Sequence, residues 1–199
     1  MSEGDVAGEP STREGAFEVA FVCTGNRYRS VLAEAVFRNA TVGLPISVRS
    51  LGTLDVGPAP PLPGALASAH ELGLDISAHS ARSLSDADLS QTTLVVGFEA
   101  RHAAAAIATA GARPERTFVL LELEELLERV DEPDAADPVG RALEMLDRAN
   151  LLREAGPFSA PEIPDPIGRP ARQQHAIARQ VHAASARAAD RLFGAQSLA

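Results

Sequence analysis

The amino-acid sequence predicts an α/β fold, a parallel β-sheet covered by helices on both faces, and three observations lead there. Four short apolar runs, Glu18–Val22, Ile46–Val48, Thr92–Val96 and Thr117–Leu120, have the length and continuity of strands buried on both sides. Each is followed by a stretch whose apolar residues recur at helical spacing. Glycine and proline clusters separate the two kinds of segment, which is the punctuation of strand–helix alternation. In such sheets, ligands gather outside the carboxyl ends of the strands.

The elements follow in order. Residues 1–15 are rich in Gly, Ser, Glu and Pro, lack apolar periodicity, and read as a disordered tail ahead of a single domain spanning 16–199. After the first strand, Val31, Leu32, Ala35 and Val36 define a helix over Val31–Arg38. Pro63 opens a second helix through Leu72, with Leu66 and Ala69 inward and Gly73 at the left-handed stop. The third strand leads into an Ala-rich helix over Phe98–Ala110. Leu123, Leu126, Leu127 and Val130 mark a short acidic helix, and Val139–Arg153 another, with Leu143 and Leu146 inward. The last helix, Ala171–Phe193, carries Ile177, Val181, Ala184, Ala188 and Leu192 on one stripe.

Composition narrows the function. With 199 residues the chain is long enough for one sizeable core. Its formal charge of −9 argues against a nucleic-acid partner, which needs a basic face, and means that attraction of an anionic substrate must be local. Lysine is missing and all eighteen cations are arginine. A single cysteine excludes an intramolecular disulfide and a cysteine-based zinc cluster. The longest apolar runs fall well short of a bilayer span, so no membrane partner is expected and the cytoplasm is the default location.

Chemistry concentrates where the first strand meets the first helix, in FEVAFVCTGNRYRS over residues 17–30. A strand-to-helix loop aims consecutive backbone N–H groups and the positive end of the helix dipole at one point, where an oxyanion belongs. Cys23 stands at the mouth of that nest, and N–H groups that bind an anion also stabilise a thiolate. Arg29 adds a planar guanidinium able to grip two oxygens of a phosphate or arsenate. Gly25 lets the backbone turn, Asn26 tolerates a left-handed conformation while its amide ties the loop, and Ser30 can turn its hydroxyl toward the sulfur. A lone cysteine is ordinarily a buried small hydrophobe. The buried strand before it, Gly25 and Asn26 within the loop, Ser30 after it and a helix beginning on cue lift this one to a candidate nucleophile.

The string VCTGNRYRS followed by LAEAVF resembles the active-site loop and first helix of the low-molecular-weight protein tyrosine phosphatases, whose fold is shared with arsenate reductases. The resemblance extends through VRSLGT at 48–53, GLDISAHSAR at 73–82 and DPIG at 165–168. It implies a three-layer α/β/α architecture with a four-stranded parallel sheet in the order 2-1-3-4. By resemblance, Cys23 is the nucleophile, Arg29 the phosphate-binding arginine and Asp165 the general acid. Thr24, Gly25, Asn26, Arg27, Tyr28, Arg29 and Ser30 would cradle the phosphate, with Asn26, Ser30, Ser50 and His79 holding the loop. No metal or cofactor is implied, and the substrate would be a phosphorylated protein or a small phosphomonoester.

Two departures from that pattern set further expectations. Residues of about 131–161 form a helical insertion ahead of the Asp165 loop, expected either to cap the pocket or to pack on the surface. Aromatic walls usual beside the phosphotyrosine slot are replaced by Ile167 and by a shortened segment, Leu54 and Asp55, leaving Tyr28 and Phe98 as the aromatics able to stand in; Gly97 and Phe98 occupy the place of a common Met-Asp pair. A cysteine-dependent phosphomonoester hydrolase is the leading expectation. An arsenate reductase using an external small thiol and a non-catalytic phosphate-recognition module are the alternatives.

Overall fold

The computed structural model describes residues 17–135, 137–155 and 161–194, so the expected N-terminal tail lies outside the described residues. Four strands, β1 (Phe17–Cys23), β2 (Ile46–Gly52), β3 (Leu94–Gly97) and β4 (Thr117–Val119), form one sheet in the order β2-β1-β3-β4. Every pairing is parallel, with Phe21 opposite Ser50 on one side and Val96 on the other. This is the order and architecture the resemblance implied.

Strand alternation sorts β1 onto two cores. Phe17, Val19, Phe21 and Cys23 face one side, under α1 (Arg29–Ala40) and α6 (Ala171–Phe193); Ala20 and Val22 face the other, under α3 (Ala100–Ala110). Phe21 meets Phe37 edge-on at 4.9 Å and Phe17 meets Phe193 at 5.2 Å, so aromatic pairs pin α1 and α6 to the central strand. The expected stripe of α6 is wholly buried. Cys23, the last residue of β1, thus sits at the strand's carboxyl end, directly before α1.

In α2 (Pro63–Glu71) and α5 (Pro138–Glu154) Ala69 and Leu146 face inward as expected, but Leu66 and Leu143 do not, and the residue before each is buried in its place. Leu66 and Leu143 are both 37% exposed, whereas Ala65, Ser68 and Ala69 in α2 and Ala142, Met145, Leu146 and Ala149 in α5 are buried. The leucines attract the periodicity reading, but small residues at i, i+3 and i+4 permit closer helix contact. Ser68 was disguised by its hydroxyl, which the interior satisfies.

The described part of the insertion packs into the core. The four buried residues of α5 belong to the same hydrophobic core as β1, with α4 (Leu120–Arg129) and α6 as its packing neighbours. Arg153 reaches from α5 to the carbonyls of Thr117 and Pro114, at 2.7 and 2.9 Å, bonding the end of the sheet that β4 forms. Removing the buried Met145 and Leu146 side chains from α5 would cost roughly 2 kcal/mol apiece.

Candidate active site

The loop from Cys23 to Ser30 is built so that its peptide carbonyls point outward. The carbonyl of Cys23 accepts from Thr53 N, that of Thr24 from Leu54 N, that of Arg27 from Leu62 N and that of Tyr28 from Leu32 N, all between 2.8 and 3.1 Å. Asn26 O accepts from His79 Nε2 at 2.8 Å. In a trans peptide the N–H of the next residue points opposite to the carbonyl. The N–H groups of Thr24, Gly25, Arg27, Tyr28 and Arg29 therefore turn inward, which is the geometry of an anion nest.

Asn26 makes the turn. Its φ of 50° is the one positive value at a non-glycine position among the described residues. Gly25 is not left-handed, and a Cβ built on it would meet nothing within 4 Å, so the turning role expected of Gly25 falls to its neighbour. The glycine that the loop does require is Gly52, where a Cβ would come to 3.1 Å from Asn26 and from the Gly25 backbone. The end of β2 approaches the loop that closely.

Behind the loop lies a buried polar network. The Asn26 amide donates to Ser30 Oγ at 2.9 Å and to Ser50 Oγ at 2.7 Å, while its side-chain oxygen accepts from Arg82 N at 2.9 Å. Ser50 in turn donates to Glu34. Glu34, 4% exposed, also pairs with Arg38 at 2.7 Å and Arg82 at 3.4 Å. The His79 ring must carry its proton on Nε2, because its partner there is a carbonyl. Burial is the main reason that its pKa lies below the ordinary histidine value, against the pull of the Asn26 carbonyl and of Glu34. The structure thus joins Asn26, Ser30, Ser50 and His79 by hydrogen bonds and adds Glu34. Its signal in the sequence was a carboxylate inside the apolar run LAEAVF, four residues before Arg38.

Cys23 Sγ lies 3.0 Å from Ser30 Oγ. Arg29 is 1% exposed, and both terminal nitrogens of its guanidinium are engaged. One nitrogen, Nη1, donates to Glu99 Oε1 at 2.5 Å and to Ile163 O at 2.9 Å; the other, Nη2, donates to Asp165 Oδ2 at 2.9 Å and more weakly to Thr24 Oγ1 at 3.4 Å. Phe98 packs under the guanidinium with its ring centre 5.8 Å from Cζ. Asp165 keeps its turn role too, since Oδ1 accepts from Ile167 N at 3.0 Å. The Asp-Pro pair forms the turn and faces the arginine with two different oxygens.

Glu99 was missed. The acidic residue after β3 is one position later than the Gly97–Phe98 pair considered from sequence. Burial opposes its charge, but hydrogen bonds from Arg101 and Arg29 outweigh that and hold its carboxyl below the usual range. His102 was missed as well. Phe98 N donates to its Nδ1 at 3.4 Å, so the proton sits on Nε2 and is donated to Thr24 Oγ1 at 3.1 Å. Desolvation first, and Arg29 second, lower the His102 pKa to about 4, which keeps the ring neutral at pH 7. Thr24 accepts in these contacts, leaving its own hydroxyl proton to donate.

The two aromatics considered as replacement walls do not line the mouth. Phe98 is fully buried beneath Arg29, and Tyr28 is 4% exposed with its phenol directed between α2 and α6. Tyr28 faces the nest with its backbone N–H alone. The exposed apolar side chains beside the loop are Leu54, whose N–H bonds Thr24 O, and Ile167, whose N–H bonds Asp165. The apolar part of the rim is aliphatic, and the exposed Arg101 reaches Thr24 Oγ1 at 3.5 Å.

Residues 18–155 match the family described as low molecular weight phosphotyrosine protein phosphatase. Asp165 falls just beyond that match. The chain is 39% identical over 93 residues to a low molecular weight protein-tyrosine-phosphatase of Streptomyces coelicolor, a match covering 43% of this chain and 55% of that relative, so it spans about half the relative's length. It is 28% identical over 138 residues to the probable low molecular weight protein-tyrosine-phosphatase EpsP of Ralstonia nicotianae, covering 69% of this chain and 89% of the relative. Among solved structures, the tyrosine phosphatase amsI of Erwinia amylovora superposes with a TM-score of 0.63 at 16% identity, over 90% of this chain and 96% of that one. A mutant of YwlE from Bacillus subtilis gives a TM-score of 0.61 at 20% identity, over 89% and 99%. At such identities the structures speak for the fold.

Proposed function

The chain belongs to the low molecular weight phosphotyrosine protein phosphatase family, and from that premise we propose that it is a cysteine-dependent phosphomonoester hydrolase working through a phosphocysteine. The observation that carries the reading is the pairing of Cys23 with Ser30 at 3.0 Å in a loop whose N–H groups turn inward in front of Arg29. A nucleophile, an anion nest and a fixed cation on one loop support that reading. In the first step Cys23 thiolate attacks phosphorus, the sulfur–phosphorus bond forms as the bond to the leaving oxygen breaks, and Asp165 gives that oxygen its proton. In the second, Asp165 takes a proton from water, the water oxygen attacks phosphorus, and the sulfur departs as thiolate with Ser30 donating to it. Residues 16–199 act as one domain in this reading, with α5 as part of its core.

An aliphatic rim formed by Leu54 and Ile167 offers no flat slot for a phenyl ring, so the site should accept alkyl as well as aryl phosphomonoesters. Fold alone does not choose the substrate: a structural neighbour from Geobacillus stearothermophilus is named an arginine phosphatase, whereas the Erwinia protein is a tyrosine phosphatase. Both curated relatives are named phosphatases, which does not favour the arsenate reductase alternative. A mere phosphate-recognition module needs neither the Cys23–Ser30 pair nor a carboxylate facing Arg29.

Replacing the nucleophile tests the reading. Cys23→Ser should abolish hydrolysis of nitrophenyl phosphate while vanadate and phosphate still bind, and a chelator should leave the parent protein's activity unchanged. Appreciable turnover by the serine variant would overturn the phosphocysteine route, and loss of activity in chelator would point to a metal-dependent one.

A further inference from the structure

Tyr28 lies between two arginines in the anion nest, yet its side chain leaves the nest altogether. The phenol enters the cleft between α2 and α6 and meets three partners: Gly64 O at 3.2 Å, Gln174 O at 3.1 Å and Ser68 Oγ at 3.0 Å. Burial raises its pKa above the ordinary phenol value, against the hydrogen bond with Ser68, so the hydroxyl keeps its proton. That proton serves the carbonyls, and a lone pair is left for Ser68. Ser68 continues to His175 Nδ1 at 3.1 Å, and His175 Nε2 pairs with Glu71. The cluster is satisfied from the loop to the surface.

Its reach extends to the Asp165 turn. Gln174 stands in the first turn of α6, and its side-chain amide donates to Arg169 O at 2.8 Å. Arg169 Nε in turn donates to Asp165 O at 2.7 Å. Tyr28 therefore grips, through one backbone carbonyl, the helical turn from which the Asp165 loop hangs. The packing agrees: a Cβ on Gly64 would fall 2.1 Å from Gln174 Oε1 and 3.6 Å from Tyr28 Cε2, so glycine lets α2 and α6 close together over the ring.

We propose that Tyr28 is a positioning residue whose phenol clasps the start of α6 to the Cys23 loop and so sets where the Asp165 carboxyl stands relative to Cys23. This rests on the reading of Asp165 as general acid. Arg29 also touches Asp165, but only at a carboxylate oxygen; the clasp fixes the main chain that carries it. A residue of the nucleophile loop thereby holds the proton donor for the leaving group, and the two halves of the reaction keep one register.

The test compares Tyr28→Phe, Asp165→Asn and the double variant on an alkyl phosphate and on nitrophenyl phosphate, whose leaving group hardly needs a proton. Tyr28→Phe keeps the ring and removes the clasp, so kcat/KM, which covers only the steps up to departure of the leaving group, should fall about tenfold more on the alkyl ester than on the nitrophenyl ester. In the Asp165→Asn background the same change should add no further difference between the two esters, because the group it positions can no longer donate. Equal slowing of both esters by Tyr28→Phe, or a selective loss that persists in the double variant, would overturn the proposal. Equal slowing of both by Asp165→Asn alone would instead overturn the general-acid reading, and the clasp's role with it. Ser68→Ala, which removes one partner of the phenol from outside the loop, should reproduce a weaker loss with the same preference; a lowered melting temperature with no such preference would reduce the cluster to a structural bond.

Discussion

The two loops that meet at Arg29 are held in opposite ways. The Cys23 loop is built into the protein: Asn26, Ser30, Ser50 and Glu34 are buried, and each hydrogen-bonds to another of the set. The Asp165 loop has one buried anchor, Ile163, whose N–H donates to Phe98 O at 3.0 Å; beyond it the bonds are exposed, Glu162 accepting from Ala100 N at 2.6 Å, and the Asp165 side chain is 31% exposed. The difference teaches where rigidity is needed. Binding an oxyanion depends on several donors agreeing within a fraction of an ångström, whereas delivering one proton asks for a single carboxyl held within reach of the leaving oxygen.

Arg29 stands where the loops meet, so its replacement breaks both and should have the largest effect in the comparison. Arg29→Lys keeps a positive charge but loses the planar fork that reaches Glu99 and Ile163 with one nitrogen and Asp165 with the other. Turnover should drop by roughly 100-fold or more, with phosphate inhibition weakened in parallel. An unchanged inhibition constant for phosphate would mean that the arginine serves the ion pairs and not the ligand.

Asn26→Ala addresses the rigid loop alone. It removes an amide serving Ser30 and Ser50, exposes the Arg82 N–H to an unmet bond, and places alanine at a φ of 50°. Leaving buried donors and acceptors unpaired should cost roughly 2–3 kcal/mol of stability, read by urea unfolding, together with weaker phosphate binding. Leaving-group dependence should stay as in the parent, because the Asp165 loop is untouched. A shift in that dependence would show that the two loops are less separable than their bonding indicates.

The same contrast explains what the sequence revealed. The Cys23 loop was legible because its requirements are local: strand, turn, arginine and helix follow within fourteen residues, and the polar partners Ser50 and His79 lie in short strings of recognisable pattern. The order of the sheet was legible through the same resemblance. Glu99 and His102 were not, since an acid and a histidine at the start of an Ala-rich helix look like a solvated helix end until β3 delivers them to Thr24 and Arg29. Tyr28 misled for a related reason. Position in the loop puts its backbone at the nest, but only the α2–α6 cleft decides where the side chain goes, and that cleft joins residues more than 100 positions apart.

The smallest expected effect concerns pH and falls on the rigid side. His102 is buried and His79 partly buried, and both have pKa values below the ordinary 6.5, His102 at about 4. Above 6.5 these rings are neutral whether the chain is folded or not, so they leave stability unchanged there. As pH falls below 6.5 the unfolded chain takes up protons that the folded protein refuses, and stability drops until the folded rings also protonate. For His102 the window runs from 6.5 to about 4, and the loss within it is on the order of 2–3 kcal/mol. His102→Gln retains a side-chain N–H for Thr24 without a titrating ring. Urea unfolding at pH 7.5 and pH 4.5 should therefore show a smaller difference in the glutamine variant than in the parent, with the gain confined to the acid side. If the two proteins lose the same stability between those pH values, the acid sensitivity belongs to His79 or to carboxylates such as Glu99, and the neutral His102 ring is not its source.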